Sequence, residues 1–161
     1  TDWNNAANWT VVSGTPSAPP SVNDIVQIGA SVFTNQPTIS SAVSVKSIVM
    51  GSAQAVTLTI GGAGSLTTSG NISGSWSAGI IHTINAGSQG LTINGDLILS
   101  DGTSGHAINL SAIAATVVIN GSLIQAGGAS ISFTGNTSMS IKNDYTYTSG
   151  IFSAGAGTVM R

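Results

Sequence analysis

The chain has no cysteine, no glutamate and almost no charge. Its 161 residues hold five acidic side chains (Asp2, Asp24, Asp96, Asp101, Asp144) and three basic ones (Lys46, Lys142, Arg161), for a net charge of −2. The missing thiols exclude a disulfide framework and a thiolate zinc site. Three dispersed cations give no electrostatic footprint for nucleic acid or an anionic membrane surface. No stretch of about 18 apolar residues is present to span a bilayer as a helix, so membrane insertion is not expected. No basic, then apolar leader opens the sequence, and any signal peptide is taken to have been removed or to lie outside this sequence.

Hydrophobic residues nevertheless reach 41%, enough for a packed core. Gly, Ser, Thr and Asn make up nearly half of the chain. These residues lose backbone entropy in a helix or compete for its hydrogen bonds, whereas short β-branched strands joined by tight turns suit them. An all-β fold follows.

Three segments align without a gap: Leu91–Gly102, Val117–Gly128 and Met139–Gly150. Each reads apolar, any residue, Ile, three turn-formers, apolar, with Gly nine positions after the Ile. The anchors Ile93, Ile119 and Ile141 are 26 and then 22 residues apart. A period in the twenties matches one coil of a β-solenoid, in which neighbouring rungs bury what a single rung cannot. Asn94-Gly95 and Asn120-Gly121 are also hairpin dipeptides. A two-residue hairpin, however, would set Ile93 opposite Asp96 and Ile119 opposite Ser122, and no clean apolar face would remain. A three-residue corner lets Leu91, Ile93 and Leu97 all point inward. The expected repeat core is therefore Leu91, Ile93, Leu97, Val117, Ile119, Leu123, Met139, Ile141 and Tyr145, with the corner Asn and Gly chosen for left-handed backbone angles. Leu58-Thr-Ile60 reads as an earlier, interrupted copy. Ile108-Asn-Leu110 and Ile131-Ser-Phe133 read as a remaining face, and Ile80, Ile81 and Ile84 as inward residues of an earlier coil.

Residues 1–30 differ from the rest and are read as an N-terminal cap with a first strand; residues 31–161 are read as the coils of one elongated domain. Trp3, Asn4, Asn8, Trp9 and Asp24 are the expected cap residues. Two bulky indoles cover the open first coil, and Pro16, Pro19 and Pro20 blunt its edge.

The pattern Trp3-Asn4, Asn8-Trp9, Pro20, Asp24-Ile25-Val26, with the later phrases Leu58–Ile72 and Ile151–Val159, resembles secreted bacterial β-helix repeat proteins. These are adhesins and autotransporter-like passengers of gliding and surface-colonising bacteria. The resemblance implies a right-handed parallel β-helix (β-solenoid) outside the cell or on its surface. It implies a non-catalytic structural or adhesive module, self-associating or part of a longer adhesin, whose partners are further rungs, other copies or surface glycans. A β-sandwich is the alternative fold; a carbohydrate-binding or carbohydrate-active β-helix is the alternative function.

Few residues have the makings of chemistry. His82 and His106 lack a paired Asp at motif spacing and read as surface or turn histidines. No Gly-x-Ser-x-Gly elbow is present. Asp96 and Asp144 fall at equivalent rung positions two coils apart, about 10 Å at the usual strand spacing, and read as solvated turn carboxylates. Asp101-Gly-Thr-Ser-Gly105 offers too few oxygens for calcium, so no metal and no cofactor are expected. The Thr57/Thr59 and Thr146/Thr148 pairs fail to recur in register, against an ice-binding ladder. Trp76, after Ser73-Gly74-Ser75, is the best candidate for an exposed, ligand-contacting aromatic, with a lid over an irregular coil as the commoner role of a lone Trp.

Overall fold

The computed structural model describes residues 1–77 and 79–161. Among the described residues eighteen short strands form three six-stranded sheets, and every pairing is parallel. The first face holds β1 (Ile25–Ile28), β4 (Ser47–Met50), β7 (Ile72–Gly74), β10 (Leu97–Ile98), β13 (Leu123–Gln125) and β16 (Tyr145–Tyr147). The second holds β2 (Thr38–Ile39), β5 (Thr57–Ile60), β8 (Ile81–Asn85), β11 (Ala107–Ile113), β14 (Ser130–Thr134) and β17 (Ile151–Ala154). The third holds β3 (Ala42–Val45), β6 (Ser65–Thr68), β9 (Gly90–Ile93), β12 (Thr116–Ile119), β15 (Ser138–Ile141) and β18 (Val159–Met160). The chain visits the faces in strict rotation, so it is a three-sided β-solenoid of about six turns. Wholly parallel pairing excludes the β-sandwich, whose sheets are antiparallel.

The alternation of apolar and polar residues along each strand explains the shape. One side chain of each pair points into the prism and the next points out. Stacking in register then piles like upon like. On the third face Ile93 pairs with Ile119 and Ile119 with Ile141, while Leu91, Val117 and Met139 form the adjoining column. On the first face Leu97 lies against Leu123, and Leu123 against Tyr145. Leu91, Ile93, Leu97, Val117, Ile119, Leu123 and Met139 are buried.

Several expectations need correction. Tyr145 holds its stacked place but is 37% exposed, and Ile141 is only half-buried. Tyr145 sits in the sixth coil, where β16 has a neighbour on one side only, and Ile141 ends β15 in the fifth, beyond the two residues that pair with β18. Leu58-Thr-Ile60 forms β5 on the second face and is not the earlier copy of the Ile unit. That copy is Leu66-Thr-Thr68, paired with Leu91-Thr-Ile93; it is hidden in the sequence because Thr68 stands where Ile is expected, its hydroxyl donating to Gly70 O. Ile81 points outward and is exposed, and the inward residues of β8 are His82 and Ile84.

The corner from the third face to the first is three residues long in four coils: Ser69-Gly-Asn71, Asn94-Gly-Asp96, Asn120-Gly-Ser122 and Lys142-Asn-Asp144. Gly95 and Gly121 do not have left-handed angles, contrary to expectation. They are glycine because coils approach closely there. A Cβ on Gly95 would lie 2.2 Å from Asn71 Oδ1, and one on Gly121 2.4 Å from Asp96 Oδ1 and from Gly95 O. Those oxygens hold the next coil in place: Asn71 Oδ1 accepts the Asp96 N–H, and Asp96 Oδ1 accepts the Ser122 N–H, each at 2.8 Å. Asn120 Nδ2 donates to Asn94 Oδ1 at 2.7 Å, beginning a side-chain ladder along the same corner.

The corner from the first face to the second varies instead, running from residues 51–56 through 75–80 and 99–106 to 126–129. Coil length changes there while the stacked columns keep their register.

Ile119→Ala opens a hole in the middle of a column and is expected to lower unfolding free energy by about 2–5 kcal/mol. Thr92→Ala, facing outward beside it, should change stability by no more than about 0.5 kcal/mol. Urea unfolding of the two variants measures the difference.

Candidate functional site

Two places gather side chains beyond what stacking requires: the variable corner of the third and fourth coils, and the N-terminal cap.

At the variable corner, the inward position after Ile72 is Gly74, registered with buried Met50. A Cβ at Gly74 would fall 2.3–2.7 Å from three atoms of the Trp76 ring. The indole thus folds back into space that an inward side chain at 74 would occupy. Trp76 is not the exposed ring its loop suggests but packs against the core, as a lid over an irregular coil does. The signal lay in the sequence: a glycine on the inward beat of a strand, with a tryptophan two residues on.

Trp76 stacks on His106 with ring centroids 6.0 Å apart and an interplanar angle of 15°, and lies 6.5 Å from His82. Neither histidine is a plain surface residue. His106 Nδ1 is 2.9 Å from Asp101 Oδ2, a partner five residues away that the corner loop folds back to meet it. Asp101 Oδ1 also accepts the Thr103 N–H at 2.9 Å. The hydrogen bond with His106, then that with Thr103, holds the Asp101 carboxyl below its ordinary range. His82 is fully buried, and its Nδ1 accepts the Val56 N–H at 3.1 Å. An acceptor at Nδ1 places the ring proton of the neutral form on Nε2. Burial pushes the His82 pKa below 6.5. His82 Nε2 and Trp76 Nε1 are both buried with no hydrogen-bond partner among the described residues.

An Asp–His pair beside an aromatic ring invites comparison with a hydrolytic triad. Among the described residues His106 makes no hydrogen bond to a Ser or Thr hydroxyl, so no nucleophile stands in line with the pair. Asp96 and Asp144 flank Ser122 in register, as their spacing suggests. One carboxylate oxygen of Asp96 is engaged with the following coil. Among the described residues no group of three or more His, Asp or Glu side chains could hold a metal ion, and no helix is long and apolar enough to cross a membrane.

At the cap, Thr1–Trp3 adds a bridge to the free edge of β2: Asp2 pairs with Thr38, and Trp3 N–H donates to Thr38 O at 2.8 Å. A single 3-10 turn at Ala6–Asn8 then reverses the chain. It brings Trp9 edge-on to Trp3, with centroids 4.7 Å apart and planes at 61°. Trp9 Nε1 donates to Trp3 O at 2.7 Å, Asn8 Nδ2 to Asp2 O at 2.7 Å and Asn4 Nδ2 to Ser41 Oγ at 2.8 Å. Trp3 is 1% exposed and joins the core cluster; its own Nε1 has no partner among the described residues. Asp24 closes the turn before β1 by accepting the Ser21 N–H at 2.7 Å and the Ser21 hydroxyl at 2.8 Å. Those two bonds hold its carboxyl below the ordinary range.

No family model, no curated protein and no solved structure matches the chain.

Because burial lowers the pKa of His82, the unfolded chain takes up a proton there more readily than the folded one. Stability is therefore complete above about pH 6.5 and is lost as pH falls toward the lower folded value. The lowered carboxyls of Asp24 and Asp101 act in a separate window, below their ordinary value of 3.8. The urea midpoint should drop between pH 7 and 5, and His82→Gln should flatten that decline. An equal decline in the variant would assign it elsewhere.

Proposed function

We propose that this chain is a non-catalytic structural and adhesive module of an extracellular or cell-surface protein, acting through rigid, uncharged faces. One observation carries the reading: among the described residues no strand contains Asp, Lys or Arg, so all eight charged side chains lie in corners, the cap or the last residue. Outward positions on the second face instead form an unbroken column through all six coils, Thr38, Thr59, Asn85, Ser111, Ser132 and Ser153. Rungs in parallel sheets repeat every 4.7–4.9 Å or so, which makes this a straight row of short polar groups on a stiff backbone.

Such a face suits weak contacts repeated many times. A single neutral hydrogen bond to a wetted surface yields little, because water is displaced from both partners. A row of them on a rigid support gains from multiplicity, since later contacts form at high effective concentration. The partners that fit are hydrated neutral surfaces and further coils. In the sixth coil Tyr145, Tyr147 and Met160 are exposed at positions that register with inward residues of the coil before. A further coil in register, from the same polypeptide or a second copy, covers such a surface.

Retention on washed particles of crystalline cellulose, chitin and silica tests the adhesive role. The protein should sediment with at least one of them, and Thr59→Arg combined with Ser111→Arg should release it without lowering the melting temperature. Release of soluble sugar from any of the polysaccharides, abolished by Asp96→Asn or Asp144→Asn, would overturn the non-catalytic reading.

A further inference from the structure

Two clefts open on either side of Trp9. The smaller, about 490 Å³, lies beneath the cap between the first residues of the chain and the segment leading from β1 to β2. Trp3, Trp9 and Phe33 supply apolar wall, and Asn8, Thr10 and Asn35 supply amides and a hydroxyl. The larger, about 710 Å³, lies between the 9–24 loop and the outward side of β1 and β4. Both are bounded by Trp9, Thr10, Val12 and Gln27, so Trp9 stands in the wall they share. Each volume falls in the range of small-molecule sites, roughly 300–1,000 Å³.

The chemistry of the smaller cleft selects a neutral, polyhydroxylated ligand. Asp2 is the one charged side chain among its described lining residues, and its Oδ1 already accepts the Asn4 N–H and the Ser40 hydroxyl. No Lys or Arg side chain is among its described lining residues to hold an anion, and no second carboxylate to hold a metal; the larger cleft has one side chain of each sign, Lys46 and Asp24. Trp9 keeps its N–H on Trp3 O, which fixes the ring while leaving it part-exposed between the clefts. An indole anchored by its N–H is a firm apolar platform with amides around it. Trp3 adds a buried N–H with no acceptor among the described residues, and sugar hydroxyls both accept and donate. Two clefts that share a wall at Trp9 favour a linear ligand that passes across it over a compact one seated in a single hollow.

We propose that the Trp3–Trp9 cap is a binding site for a neutral linear oligosaccharide, which lies across the Trp9 ring with its ends in the two clefts. The site is independent of the scaffold reading above. It uses the capped end of the solenoid, and the uncharged column of the second face takes no part in it.

The three tryptophans give three indole N–H signals in a ¹H–¹⁵N spectrum, which makes the test direct. Titration with β-linked tetramers of glucose or of N-acetylglucosamine should move the Trp9 and Trp3 signals saturably with at least one of them. The Trp76 signal, in the corner of the third coil, should stay in place. Trp9→Ala should weaken binding by about tenfold or more. Because that change also loosens the cap, Asn35→Arg, at the cleft wall and outside the Trp3–Trp9 contact, should weaken it comparably with an unchanged melting temperature. Stationary indole signals up to the solubility limit of both sugars would overturn the proposal, as would movement of Trp76 alone or tighter binding of an anionic tetragalacturonate. The Thr59→Arg, Ser111→Arg protein should still bind the tetramer, so failure here is separable from failure of adhesion to solids.

Discussion

The whole molecule depends on register between parallel coils. A parallel ladder sets each residue against its counterpart one turn away, and three such ladders share one interior. Any residue that keeps its place in the alternation is therefore stacked on a residue of like character. The Ile93, Ile119 and Ile141 column is the clearest case. A slip of one residue would turn each apolar column outward at once, so the apolar alternation itself locks the coils together. Coil length is free to vary only where the interior is indifferent to it. Here that place is mainly the corner between the first and second faces, with smaller changes at the corner between the second and third.

The tight corner supplies the second lock. Asn71 and Asp96 reach along the prism to bond the backbone of the next coil, and the glycines beside them leave room for those oxygens. Side-chain carboxylate and amide are thus extensions of the backbone ladder into the turn, where strands stop but donors still need acceptors. This use of Asp96 accounts for an acidic residue in a chain with so few. It also weighs against a glycosidase pairing with Asp144, since a carboxylate committed to a backbone N–H is poorly suited to carry a proton to substrate and back.

The variable corner shows what happens when the interior lacks a side chain. Gly74 leaves the inward position bare, and Trp76 returns from the loop to fill it, bringing His106 and Asp101 into line behind. The fit leaves two buried nitrogens without partners among the described residues. Trp76, His82 and His106 pack together, and the corner is held by shape more than by hydrogen bonds. The cap is the opposite arrangement: Asn4, Asn8 and Asp24 each bind backbone or hydroxyl partners, and the ring of Trp9 is left to face the clefts.

The sequence by itself determined the all-β class, the period of the coil, the three-residue corner and the inward columns of the second half. These are properties of alternation and spacing, and they repeat. It also singled out Trp3 and Trp9, because paired indoles stand out in so plain a composition. Only the tertiary structure decided the phase of the earlier coils, where Thr68 replaces the marker Ile, and the burial of His82, which takes an inward beat that polarity alone assigns to the surface. Only the structure turned Trp76 inward and joined Asp101 to His106. The physical reason is the same in each case: the columns are contacts between residues 21–26 apart in sequence, and an exception inside a column is legible only when its neighbours above and below are known.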